Sequence, residues 1–178
     1  MYLYDAISIY LFLMILAVMY WAANIRSFNS SGYTRTATML GIVICIYIFG
    51  YTMELNASQP SAILFWNQFE YLGIPFVSAL WLTVGLIYTG HFARHRAWLI
   101  LLIYLVPFIT LVLRMTNEAH HLYFASYSMR WQLGKLVLTR VYGPWMYVQT
   151  VHSMLWLGGI SKPWQAVVTV SPTEKSGE

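Results

Sequence analysis

Two carboxylates, Glu54 and Glu70, interrupt otherwise apolar stretches of this sequence, and amides and aromatics recur around them at helical steps. Asn67, Glu70, Tyr71, Ile74, Ser78, Trp81, Gly85 and Tyr88 follow one another mostly at intervals of about three or four residues, which gathers them into one stripe on a helix. Leu72, Phe76, Leu80 and Leu86 fall on the opposite side and suit lipid. A carboxylate within an apolar span is costly and turns to a bundle interior or a wet cavity, so this helix has an inside and an outside. Tyr47, Gly50 and Tyr51 precede Glu54 on one face, and Asn117, His120 and His121 follow an apolar run that ends at Arg114. Carboxylates, imidazoles and a guanidinium in one layer could line a small aromatic pocket. The blander reading is a set of helix-end side chains that snorkel to water, with Glu70 and Arg114 paired to close the bundle. Glu54, at the boundary, reads as such an end residue. Glu70 lies roughly 10 Å below the surface at 1.5 Å per residue and reads as part of a pocket. The candidate ligand-binding set is Glu54, Asn67, Glu70, Tyr71, Trp81, Asn117 and His120, for a small ligand of unknown identity.

The other groups with chemical potential assemble into nothing stronger. His152 shares a helical face with Trp145, Gln149, Trp156 and Gly159, and a lone histidine in a span is more often a packing residue than a ligand. His91 and His95 belong to one end of the spans and His120 and His121 to the other, so a haem held by two histidines of this chain is not supported. The sequence has no His-Glu-x-x-His, no glycine-rich phosphate loop and no Gly-x-Ser-x-Gly. Hence no catalytic residue, metal site or cofactor is assigned. The alternative of another class is a quinone- or haem-binding membrane subunit that uses His152, or a structural, partner-binding remnant.

The elements that must position these groups are transmembrane. Of 178 residues, 59% are hydrophobic and only 9% charged, against about 25% charged in soluble domains; the mean hydropathy is +0.59. A net charge of +4 would suggest nucleic acid in a soluble chain, but here the basic residues flank apolar runs and set orientation. The expected fold is an all-α polytopic membrane protein with spans at about 3–23, 37–56, 63–88, 97–113 and 145–160, the third bent at Pro75. Residues 114–144 form an outer insertion with a β-hairpin turning at Gly134-Lys135, and 161–178 a polar tail. The first span lacks a basic leader and a small-residue cleavage site, so it reads as retained. Arg26 and Arg35, Arg94 and Arg96, and Lys162 and Lys175 fall on one face, which places the N-terminus outside and the tail in the cytoplasm. The single Cys45 permits no internal disulfide.

The ordered runs Tyr51-Thr-Met-Glu-Leu, Phe65-Trp-Asn-Gln-Phe-Glu-Tyr-Leu-Gly-Ile-Pro, Tyr88-Thr-Gly, Thr116-Asn-Glu-Ala-His-His-Leu-Tyr and Tyr142-Gly-Pro-Trp resemble the N-terminal seven-transmembrane sensor region of bacterial histidine kinases. The resemblance covers about residues 1–160. It implies a bundle in the bacterial cell membrane that senses a signal at or in the membrane and feeds a separate output domain, with Glu54, Glu70, Asn117 and His120 at the family's recurrent polar positions. Two spans fewer than in the family are present, and Ser161–Glu178 resembles neither a sixth span nor a kinase linker. The expectation is therefore a sensory input region, itself not an enzyme, truncated before its output domain. Its partners would be membrane lipid and either a second copy or another membrane or signalling protein, with no nucleic acid.

Overall fold

In a bilayer an apolar run can satisfy its backbone only within itself, and the runs found above are helical. The computed structural model describes residues 2–25, 31–88 and 96–159. The helices are α1 (Tyr2–Asn24), α2 (Ser31–Asn56), α3 (Pro60–Glu70), α4 (Ile74–Tyr88), α5 (Arg96–Met115), the short α6 (Asn117–His120) and α7 (Pro144–Gly159). Three stretches, Tyr4–Asn24, Gly32–Asn56 and Pro60–Tyr88, are long and apolar enough to cross a membrane; Ile100–Met115 is a shorter apolar helix. Arg26, Arg94, Lys162 and Lys175, on which the expected orientation leans, lie outside the described residues, as does the tail 161–178.

The expected third span proves to be two helices, not one bent at Pro75. Tyr71, Leu72 and Gly73 donate back to Gln68, Phe69 and Glu70, so α3 tightens into three-residue hydrogen bonds before α4 begins. Pro75 then cannot donate to the turn before it. Gly73 presses so closely on α2 that a Cβ there would strike the Val43 carbonyl. The interruption therefore sits against α2. It also rotates the stripe: Asn67, Glu70, Tyr71, Ser78 and Gly85 are buried as expected, but Leu80 is buried and Trp81 exposed.

Helix α1 packs principally on α2, α2 on both α3 and α4, and α4 on α5 and α7. Between α6 and α7 the chain forms an antiparallel pair, β1 (Phe124–Gln132) and β2 (Lys135–Tyr142), with a bulge between Phe124 and Ser126. Gln132 pairs with Lys135, so the turn is Leu133-Gly134, one residue earlier than expected. Both turn residues have positive φ, 50° and 78°, the conformation that matches the twist of a two-residue hairpin.

The hairpin lies over the end of the bundle where α2 stops and α3 starts. Lys135 Nζ donates to the Leu55 carbonyl, and the Tyr4 hydroxyl to the Gln132 carbonyl. At its base, Tyr71, Tyr123 and Phe124 form an aromatic cluster that Ile74 and Trp145 cover.

Candidate functional site

Glu54, in the last turns of α2, is the centre of a charged layer at this end. It does not snorkel; it is buried. Arg140 of β2 donates from Nη2 to Oε1 at 2.6 Å and to Oε2 at 2.9 Å, and Asn67 of α3 donates from Nδ2 to Oε2 at 2.9 Å. The Asn67 Oδ1 in turn accepts from Arg114 Nη2 at 2.7 Å. Asn67 is thus a fully buried bridge, one amide joining an anion of α2 to a cation of α5. Charge-assisted bonds of this kind are the strong ones.

Glu70 stands beside Glu54 within carboxyl–carboxyl hydrogen-bonding reach. It is only 3% exposed, and its Oε1 has no hydrogen-bond partner. The sequence suggests a Glu70–Arg114 pair; instead Arg114 bonds Asn67, and its guanidinium lies 5.1 Å from the Tyr71 ring centre and 4.9 Å from that of Phe124. Aromatic faces hold this cation where a carboxylate was expected. Gly50 makes room for Glu70, since a Cβ there would sit 2.8 Å from its Cγ and 3.2 Å from its backbone nitrogen. Tyr47 and Tyr51 stand within electrostatic range of both carboxylates.

Tyr71, at the helix break, packs edge-on against Tyr123 and Phe124. Burial pushes the Tyr123 phenol above its ordinary pKa. Asn117 is buried directly behind this cluster. Its Oδ1 accepts from the backbone N–H groups of Tyr123 and Phe124, at 3.0 and 2.9 Å, and its Nδ2 donates to the Phe124 carbonyl. It fixes the start of β1.

Glu54, Asn67, Glu70 and Tyr71 of the candidate set therefore converge, with Asn117 supporting them. His120 does not join them. Its Nδ1 accepts from the Leu122 N–H and its Nε2 pairs with Thr116, which fastens the turn after α6. Trp81 lies apart, in the wall of a cavity of about 300 Å³ with Trp21, Tyr33, Leu40, Val84 and Tyr88. His152 accepts from the Trp156 indole N–H through Nε2, a packing contact that lends a haem-ligand role no support. Among the described residues no three histidine, cysteine or acidic side chains gather as a metal-ligand set.

Sequence reasoning missed Arg140, the cation that completes the layer. The available signal was the two-residue alternation of β2, which puts Arg140 on the same face as the buried Leu138. A second polar chain links α4, α5 and α7: Trp145 donates to Thr110, Thr110 to Gln149, Gln149 to Ser153, and Ser153 pairs with Ser78. With these bonds made, it is glue between helices of the kind apolar media favour.

Three helical stretches are long and apolar enough to cross a membrane, and charged groups are buried at the end of the bundle that the hairpin covers. A family model described as the N-terminal 7TM region of histidine kinase matches residues 6–169, and the chain belongs to that family. The match runs past residue 160, where the resemblance read from the residues ends. No curated protein and no solved structure matches the chain.

Proposed function

We propose that this chain is the signal-input region of a histidine-kinase receptor in a bacterial cell membrane and has no catalytic step of its own. The bundle crosses the bilayer five times, through α1, α2, the α3–α4 pair, α5 and α7. The hairpin end faces outward and residues 161–178 lie in the cytoplasm. The sensing layer is Glu54, Asn67, Glu70 and Tyr71, roofed by Arg140 and backed by Asn117. The observation that carries this reading is the Glu70 carboxyl, buried beside a second carboxylate with one oxygen unbonded, in a chain of a receptor-input family.

Such a layer is poised rather than inert. Glu54 has its arginine, but Glu70 has none bonded to it, so a small cationic or hydrogen-bond-donating ligand would gain both a charge partner and an unmet acceptor there. Competition for Glu54 would also loosen Arg140 and with it the hairpin. The break at Tyr71–Gly73 and Pro107 within α5 give the helices places to bend, and an output domain would read the altered packing.

The test fuses the chain to a kinase output domain and compares wild type with Glu70→Gln. The amide is nearly isosteric, so the amount of protein in the membrane stays unchanged while the response to signal shifts. A Glu70→Gln fusion that responds as wild type overturns the sensing layer.

A further inference from the structure

We propose that the tip of the β1–β2 hairpin is a lipid-binding wedge, seated among the outer-leaflet headgroups at the rim of the bundle; this rests on the membrane placement proposed above. Directly paired residues on two strands share a face. Arg140 and Leu138 turn theirs toward the helices, Arg140 onto Glu54 and Leu138 into burial. Met129, opposite Leu138, and Trp131, opposite Leu136, lie on that same face. Yet Trp131 is 74% exposed. The face that covers the helices thus runs on past their edge, and among the described residues Trp131 is left largely uncovered.

The position of the tip is fixed by two contacts at helix ends. Tyr4, in the first turn of α1, donates to the Gln132 carbonyl, and Lys135 reaches the Leu55 carbonyl near the end of α2 while its ammonium lies 4.9 Å from the Tyr4 ring centre. Helix α1 packs principally on α2, so it marks the bundle rim, and Ile9, Phe12 and Leu13 along it are exposed. The tip therefore stands where α1 meets the interface. Its chemistry suits that depth. An indole is amphipathic and collects at membrane interfaces, and the exposed Arg130 beside it carries charge that complements lipid phosphate. Leu133 occupies a turn position at φ 50°, where glycine or asparagine is the ordinary choice. It is 75% exposed, so packing among the described residues does little to offset that strain.

The experiment places a nitroxide on Leu133→Cys in a Cys45→Ser chain, reconstituted in vesicles of phosphatidylethanolamine and phosphatidylglycerol. Collisions with oxygen and with a water-soluble nickel chelate are then compared. Ser128→Cys, on the exposed side of β1, and Leu13→Cys, on the apolar flank of α1, serve as references. The expected result is oxygen accessibility above that of the chelate at 133, as at 13, and the reverse at 128. Trp131→Cys gives the same reading with Leu133 in place, so a folding defect of one variant does not leave the idea standing by default. A chelate-accessible tip with a lipid-facing residue 13 overturns the wedge alone. An aqueous residue 13 overturns the membrane placement as well. A tip closed to both reagents means a protein covers it, and that also overturns the wedge.

Discussion

Arg140 grips Glu54 through both carboxylate oxygens, at 2.6 and 2.9 Å, and so ties the β-hairpin to the end of α2 across 86 positions of sequence. Truncating it as Arg140→Ala leaves a buried carboxylate without its cation. Removing one partner of a fully buried pair costs roughly 3–5 kcal/mol, and less here because the Arg140 side chain is 23% accessible. Thermal unfolding in detergent should show the loss. Combining Arg140→Ala with Glu54→Gln should restore part of it, since the stranded charge is gone; strictly additive losses would mean the pair is not coupled.

Asn67→Leu should be nearly as damaging although no formal charge changes. The bridging amide bonds Glu54 on one side and Arg114 on the other, and each buried group left short of a bond costs about 1–3 kcal/mol. A melting temperature within error of wild type would show that water or a neighbour replaces the bridge.

At Asn117 one side chain serves three backbone groups. Asn117→Ala should release the Tyr123 and Phe124 amides, seen as faster hydrogen exchange at those two positions while exchange within α2 is unchanged. Asn117→Asp keeps the acceptor and loses the donor to the Phe124 carbonyl, so it should fall between. Unaltered exchange at Tyr123 and Phe124 in Asn117→Ala would contradict this anchoring role.

Gly50→Ala tests the closeness of α2 and α3. The new methyl meets Glu70 at both Cγ and the backbone nitrogen, and only the first can rotate away. Overpacking of this kind costs about 1–3 kcal/mol, and it should shift Glu70 from Glu54. The fusion protein would then respond abnormally even where it inserts in normal amounts.

Alkaline titration should register the burial of Tyr123. Its phenol is raised by burial from an ordinary value of 10.0, so the folded state keeps its proton where the unfolded chain has lost it. Its contribution is whole below about pH 10 and is lost as pH rises through the higher folded value. Tyr123→Phe should remove part of the late-titrating tyrosinate absorbance and flatten the stability decline above pH 10.

Much of this architecture was legible in the residues because it is local. Hydropathy marked the apolar runs that form α1, α2, the α3–α4 pair, α5 and α7, but neither the start of α2 at Ser31 nor the short α6. Alternation and Gly134 marked the hairpin. The helix break was harder to place, since Pro75 advertises a bend while the i→i−3 bonds at Tyr71–Gly73 depend on Gly73 pressing on α2. Trp81 illustrates the same limit. A stripe drawn on one continuous helix puts it on the same inward face as Glu70, and beyond the interruption it stands exposed beside Trp21 and Tyr33 instead.

The sequence by itself determined that the chain is built of apolar helices with a polar stripe near Glu54 and Glu70 and a hairpin between the last two long helices, because composition and periodicity act over a few turns. Only the tertiary structure decided which cation answers which carboxylate. The blander reading pairs Arg114 with Glu70, but it lies among Tyr71, Phe124 and Asn67, and Arg140 arrives at Glu54 from a strand that periodicity cannot dock. Partner choice among buried charges rests on distances of a few ångströms between distant segments. In a low-dielectric interior those distances decide the energy.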